Sequence, residues 1–205
     1  MENTNLKDLQ NVLEKHGYKV SIFETKEQAT DYIDAQINHS SVGFGGSVSI
    51  KEMGLYERLE HHNDVYWHNH PIPEGKTASD IIQAASTADY YISSVNGVAM
   101  TGEIINIDGR CNRVSEIFYG HKKVILIVGK NKLAPDYDSA LFRARNIAAP
   151  KNAQRLKLKT PCAVKADKCY NCSSPDRICN GLAVLWSRPY GCEYEIILVD
   201  ENLGY

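Results

Sequence analysis

Apolar residues stand at Leu6, Leu9, Val12 and Leu13 within residues 5–16. That is the spacing of a helix with one buried face, and Gly17 ends it. YKVSIF (residues 18–23) reads as a strand. TKEQATDYIDAQI (25–37) reads as a helix opened by a Thr25/Gln28 capping box. SVGFGGSVS (41–49) reads as a short strand running into a glycine-rich turn. SIKEMGLYERLE (49–60) is the next helix, with Ser49 and Glu52 in capping-box register. DVYWHN (64–69) is a strand, PIPEGK (71–76) a loop and ASDIIQAASTA (78–88) a helix. DYYISSVNGVAM (89–100) and GEIINID (102–108) are strands joined by a turn at Met100-Thr101-Gly102. RVSEIFYG (113–120) is a short helix. KKVILIVG (122–129) is a continuous apolar run, as in a strand covered on both faces. PDYDSALFRARNIAA (135–149) is a helix ending before Pro150, and EYEIILV (193–199) is a strand returning to the core sheet. Strands alternating with helices predict an α/β fold with a mostly parallel sheet.

The 205 residues suit one domain, spanning residues 1–205, and 43% hydrophobic against 23% charged residues supply a real core. The formal net charge of −2 provides no global basic field for nucleic acid or an anionic membrane. The longest apolar runs, VILIV and IILV, are too short to span a bilayer. The first residues mix charges into a helical pattern without an apolar run, so a signal peptide is not expected and a cytoplasmic setting is.

That setting bears on residues 157–181, a basic, cysteine-rich stretch read as an insertion. It holds Cys162, Cys169, Cys172 and Cys179 in a C-x6-C-x2-C-x6-C pattern. Cytosolic thiols stay reduced, so clustered cysteines point to metal before disulfide. Four thiolates suit zinc or a [4Fe–4S] cluster, although the spacing matches neither a zinc ribbon nor a bacterial ferredoxin. Free thiols without metal are the alternative. Cys111 and Cys192 read as buried small residues.

The block NGVAMTGEIINIDGRCNRVSEIFYGHKKVILIVGKNKLAPDYDSALFRARNIAAPKNAQRL, with GFGGSVS before it and ILVDENLGY after it, resembles the LUD family, the domain of bacterial lactate-utilization proteins. The resemblance covers roughly Leu6 to Tyr205. It implies a three-layer α/β/α fold with a mostly parallel sheet, related to sugar-phosphate isomerases and CoA transferases (the NagB/RpiA/CoA-transferase-like class). It also implies a part in oxidising lactate to pyruvate alongside iron–sulfur redox partner proteins. A stand-alone enzyme for a sugar phosphate or acyl-CoA and a non-catalytic binder of an anionic metabolite are the rival readings. The expected partners are a small anionic metabolite, iron–sulfur proteins and a second copy of the chain.

Two stretches carry candidate binding chemistry. Gly43, Gly45, Gly46, Ser47 and Ser49 sit where a strand meets a helix, so backbone N–H groups and hydroxyls can hold a phosphate or carboxylate. The other reading is a tight turn. The second stretch gathers Asn96, Thr101, Glu103, Asp108, Asn112 and Arg113, at the strand ends where parallel sheets bind ligands. The likeness to CoA transferases points to Glu103 as nucleophile, and Asp108 is the other catalytic candidate. A hairpin turn at Asp108-Gly109 with Glu103 facing solvent is the alternative. His68 and His70, two residues apart, would share one face of a strand as two metal ligands could, but read first as solvated loop histidines before Pro71. Lys130 and Lys132 read as a solvated turn, with anion contact the less ordinary alternative.

Overall fold

The computed structural model describes residues 6–205. The chain runs α1 (Leu6–Lys15), β1 (Lys19–Phe23), α2 (Lys26–Gln36), β2 (Ser41–Phe44), α3 (Val48–Met53), α4 (Leu55–Leu59) and β3 (Asp64–Tyr66). It continues through α5 (Ala78–Ser86), β4 (Tyr90–Ser94), β5 (Gly97–Ala99), β6 (Ile104–Asp108), α6 (Asn112–Phe118), β7 (Lys123–Gly129) and β8 (Leu133–Ala134). It closes with α7 (Tyr137–Arg143), a π-helical stretch (Ala144–Ala148), α8 (Ala149–Arg155), α9 (Pro161–Lys165), β9 (Gly181–Leu185) and β10 (Glu193–Val199). The expected start of the first helix at Asn5 lies outside the described residues.

Six strands form an all-parallel sheet in the order β1-β10-β7-β4-β2-β3. The run KVILIVG explains its centre. Val124, Leu126 and Val128 of β7 point into one core with Leu9, Leu13 and Ile117, while Ile125 and Ile127 point into the other with Ile33, Ile50 and Leu59. Alternating side chains are thus buried on both faces, which is why the strand shows no polar alternation. Helices cover both faces, α2, α3 and α4 on one and α1 and α6 on the other.

The second sheet was not expected. The predicted strand over residues 89–100 is two strands in different sheets, β4 in the large one and β5 in a four-stranded sheet ordered β8-β5-β6-β9. Its β9 pairs antiparallel with β6 and lies beyond the cysteine-rich stretch. Hydrogen bonding between segments far apart in sequence leaves no local signal.

Three boundaries also differ from expectation. Helix α3 is capped by Ser47, whose Oγ accepts from Ile50 N at 3.3 Å, and not by Ser49. The predicted helix over residues 49–60 breaks at Gly54, whose left-handed φ of 61° closes α3 and opens α4. The helix before Pro150 does not end there. It widens through the π stretch directly before Pro150, a local irregularity at the position where the ring and missing N–H disrupt regular helical bonding, and continues as α8. Cys111 and Cys192 are only partly buried, and Cys111 instead takes the left-handed position (φ 64°) before α6.

Candidate functional site

The carboxyl ends of β2 and β4 open into a cavity of about 690 Å³. Its walls carry Gly46, Ser47 and Ser49 from the glycine-rich turn, and Asn96, Asp108, Asn112 and Arg113 from the second candidate stretch. The chain therefore brings the two stretches together, although about 50 residues of sequence separate them. Five basic side chains, Lys51, Arg110, Arg113, Lys132 and Arg155, face one carboxylate, Asp108. The crevice is electropositive in a chain whose net charge is −2.

The glycines act by close approach. Gly43, Gly45 and Gly46 all lack positive φ. A Cβ on Gly43 would fall 2.5 Å from the Ala85 carbonyl of α5, so this residue seats a helix against β2 and does not line the cavity. A Cβ on Gly45 would meet Ser93 Oγ at 2.7 Å and Arg113 Cγ at 2.8 Å. Gly46 faces the cavity itself, with Asn69 Nδ2 3.2 Å from its would-be Cβ. Ser47 both caps α3 and hydrogen-bonds Ser94 Oγ at 2.8 Å.

Arg113 organises the far wall. Its guanidinium donates to Ser94 O (3.1 Å), Asn106 Oδ1 (2.5 Å), Asn96 Oδ1 (3.3 Å) and Ile107 O (2.8 Å). Its Nε lies 3.4 Å from Asp108 Oδ2, an ion pair without hydrogen-bond geometry that leaves this buried oxygen otherwise unpartnered. Asp108 Oδ1 accepts from the N–H groups of Arg110 and Cys111, both at 3.1 Å. With these donors committed, Arg113 acts as a fixed positive charge and a brace more than as a free fork. Burial holds its pKa below the ordinary arginine value, against the pull of Asp108.

Lys132 is the feature the sequence hid. It is 2% exposed, lines the cavity, and donates from Nζ to Ser49 Oγ at 2.8 Å. Among the described residues no carboxylate forms an ion pair with it. Burial, then the charges of Arg143 and Arg113, push its amine down to about 7, against the pull of Glu52. The shift of the α3 cap to Ser47 is what leaves Ser49 Oγ available for this lysine. Lys130, two residues earlier, is the solvated member of the pair and meets Asp200 at 3.1 Å.

His68 was also missed. Strand β3 ends at Tyr66, so His68 and His70 share no strand face. His68 lines the cavity, where burial first and then Arg110 lower its pKa, opposed by Asp108. His70 instead stacks on Tyr56 at 3.8 Å between ring centroids. Trp67 is 5% exposed, lines the cavity and has no partner for its Nε1–H.

Glu103 lies elsewhere. It sits in the β5–β6 turn, accepts from the Thr101 hydroxyl, and is not part of the cavity wall. The four cysteines are not in this cavity either. They line a separate cavity of about 20 Å³, with Ile178 in the walls of both. Among the described residues no three His, Cys, Asp or Glu side chains stand together as a formed metal site. No described helix is long and apolar enough to cross a membrane.

A parallel sheet flanked by helices, with an electropositive crevice at its carboxyl ends, defines an open α/β domain. The chain belongs to the LUD domain family, whose model matches residues 6–199. A DUF162 family protein from Deinococcus radiodurans is similar in structure over 95% of this chain and 95% of its own, with a TM-score of 0.52 and 12% identity. At that identity the likeness is one of fold. Ribose 5-phosphate isomerase from Plasmodium falciparum matches over 54% of this chain and 52% of its own, with a TM-score of 0.33 and 17% identity. No curated protein matches the sequence. Family membership supports a role related to lactate utilization in general.

Proposed function

We propose that the crevice binds a small anionic metabolite, a 2-hydroxy or 2-oxo carboxylate, and that the chain serves lactate oxidation together with iron–sulfur electron-transfer partners. One observation carries the binding reading: the buried Lys132 amine faces the cavity, and among the described residues no carboxylate stands within ion-pair distance of it. An unpaired buried charge is costly, and a ligand carboxylate supplies the missing counter-charge. Ser47 and Asn96 stand in the same walls for further hydrogen bonds, and Asp108 and His68 are the titratable groups within reach of a bound ligand. The subunit reading draws on the family.

A stand-alone acyl-CoA enzyme with a glutamyl nucleophile receives less support, because Glu103 does not line the cavity. The test uses the purified chain. Lactate or pyruvate should raise its Tm, a neutral analogue of equal size should not, and lactate-dependent reduction of an artificial acceptor should require added partner proteins. Turnover of a sugar phosphate or acyl-CoA by the chain alone would replace this reading with the stand-alone one.

A further inference from the structure

We propose that Cys162, Cys169, Cys172 and Cys179 bind a single tetrahedral zinc ion that fastens one wall of the crevice. All four thiols line the same cavity, and all four are free and partly buried. The cavity between them is small, about 20 Å³, and four sulfurs drawn together there suit one tetrahedral ion.

The surrounding groups are those a thiolate set needs. Arg177 Nε lies 3.2 Å from Cys179 Sγ, and its Nη1 donates to Cys172 O at 2.9 Å. The Asn171 N–H donates to Cys169 Sγ at 3.3 Å, with Asn171 in the left-handed region (φ 47°). The Thr160 hydroxyl lies 3.3 Å from Cys162 Sγ. Arg145 and Arg177 both border the cavity, and among the described residues neither has a carboxylate partner. Four thiolates around a divalent ion carry a net charge of −2, which the two guanidiniums balance.

Residues 158–180 form only the five-residue helix α9 and no strand. The segment has few apolar residues to order itself, and a bound ion supplies that ordering. The four sulfurs do not stand together as a ligand set in the structure, so metal binding draws the segment in around the ion. The consequence reaches the crevice through the end of the segment. Ile178 lines both cavities, and Asn180 donates from its backbone to Asp108 O at 3.0 Å and from its side chain to Gly109 O at 3.1 Å.

The experiment is metal analysis of the full chain expressed with zinc and iron both supplied and purified without oxygen. About one zinc per chain and no visible colour is the expected result. Iron with acid-labile sulfide would overturn the proposal in favour of a cluster. Because Cys169→Ser/Cys172→Ser also removes the ordering that the ion supplies, a second measurement uses the unaltered sequence. Stripped, reduced protein given Co(II) should develop a strong thiolate-to-cobalt absorption that zinc abolishes. A reduced protein that takes up neither ion would overturn the proposal. This outcome is independent of what the crevice binds.

Discussion

Lys132 Nζ and Ser49 Oγ meet at 2.8 Å in the wall of the crevice, and among the described residues this hydroxyl is the one acceptor side chain that the buried amine holds. The pair joins the turn after β7 to the first turn of α3. It places one titratable amine among the basic side chains that line the cavity.

The first prediction concerns pH and stability. Burial lowers the folded pKa of Lys132 to about 7, well below that of an exposed lysine. Folding therefore releases a proton between about pH 7 and the unfolded value near 10.4, and in that window the unfolded chain binds more protons. The charged amine costs stability in full below about pH 7, and the cost falls as pH rises. Lys132→Met should be more stable than the parent at pH 6, and the difference should shrink steadily toward pH 10. Thermal melts of both proteins across that range check the slope.

Glu195 tests the opposite end of the sheet. It is fully buried near the amino ends of the strands and accepts from Lys123 (2.5 Å), Tyr32 (2.7 Å) and Ser21 (2.8 Å). Burial raises its pKa, but these bonds outweigh that and hold it below the ordinary glutamate value. Its stabilisation is present above the unfolded pKa and is lost as pH falls through the lower folded one. Glu195→Gln should cost about 3 kcal/mol in urea unfolding at pH 7, because it leaves Lys123 unpaired. Ligand affinity should stay unchanged.

The glycines should rank by what their missing side chain would strike. Gly43→Ala meets a backbone carbonyl and should cost about 3 kcal/mol, whereas Gly46→Ala meets the movable Asn69 amide and should cost under about 1 kcal/mol. Denaturation midpoints give the order. Equal costs would mean that α5 does not press on β2 as described.

Glu103→Gln should leave stability within about 0.5 kcal/mol and ligand affinity within about twofold of the parent. The residue sits in a turn outside the cavity wall. Loss of affinity or turnover in this variant would restore it as a site residue.

Much of the fold was legible because its signals are local. The apolar run of β7, the break at Gly17 and the Thr25 cap each follow from a few neighbouring residues. The glycine-rich turn and the Asp108–Arg113 stretch could be marked as candidates for the same reason. Lys132 could not. Its burial depends on the Lys130–Lys132 turn leading into β8, which pairs with β5 across more than 30 residues of sequence. His68 was obscured by a strand that stops at Tyr66, two residues earlier than a reading of residues 64–69 as strand allows for His68 and His70 to share a face. The capping-box pattern at Ser49 pointed to the wrong serine, since the helix starts two residues earlier, with Ser47 accepting from Ile50 N, and Ser49 Oγ is held instead by the tertiary contact with Lys132.

The most direct measurement is calorimetric titration of pyruvate and of lactate into the parent protein and Lys132→Met at pH 6, repeated at pH 8 and 9. The account predicts saturable binding to the parent at pH 6, at least about tenfold weaker binding to the variant, and parent affinity falling by about tenfold per pH unit above 7. Equal affinity of the two proteins, or a parent affinity that does not change with pH, would contradict it.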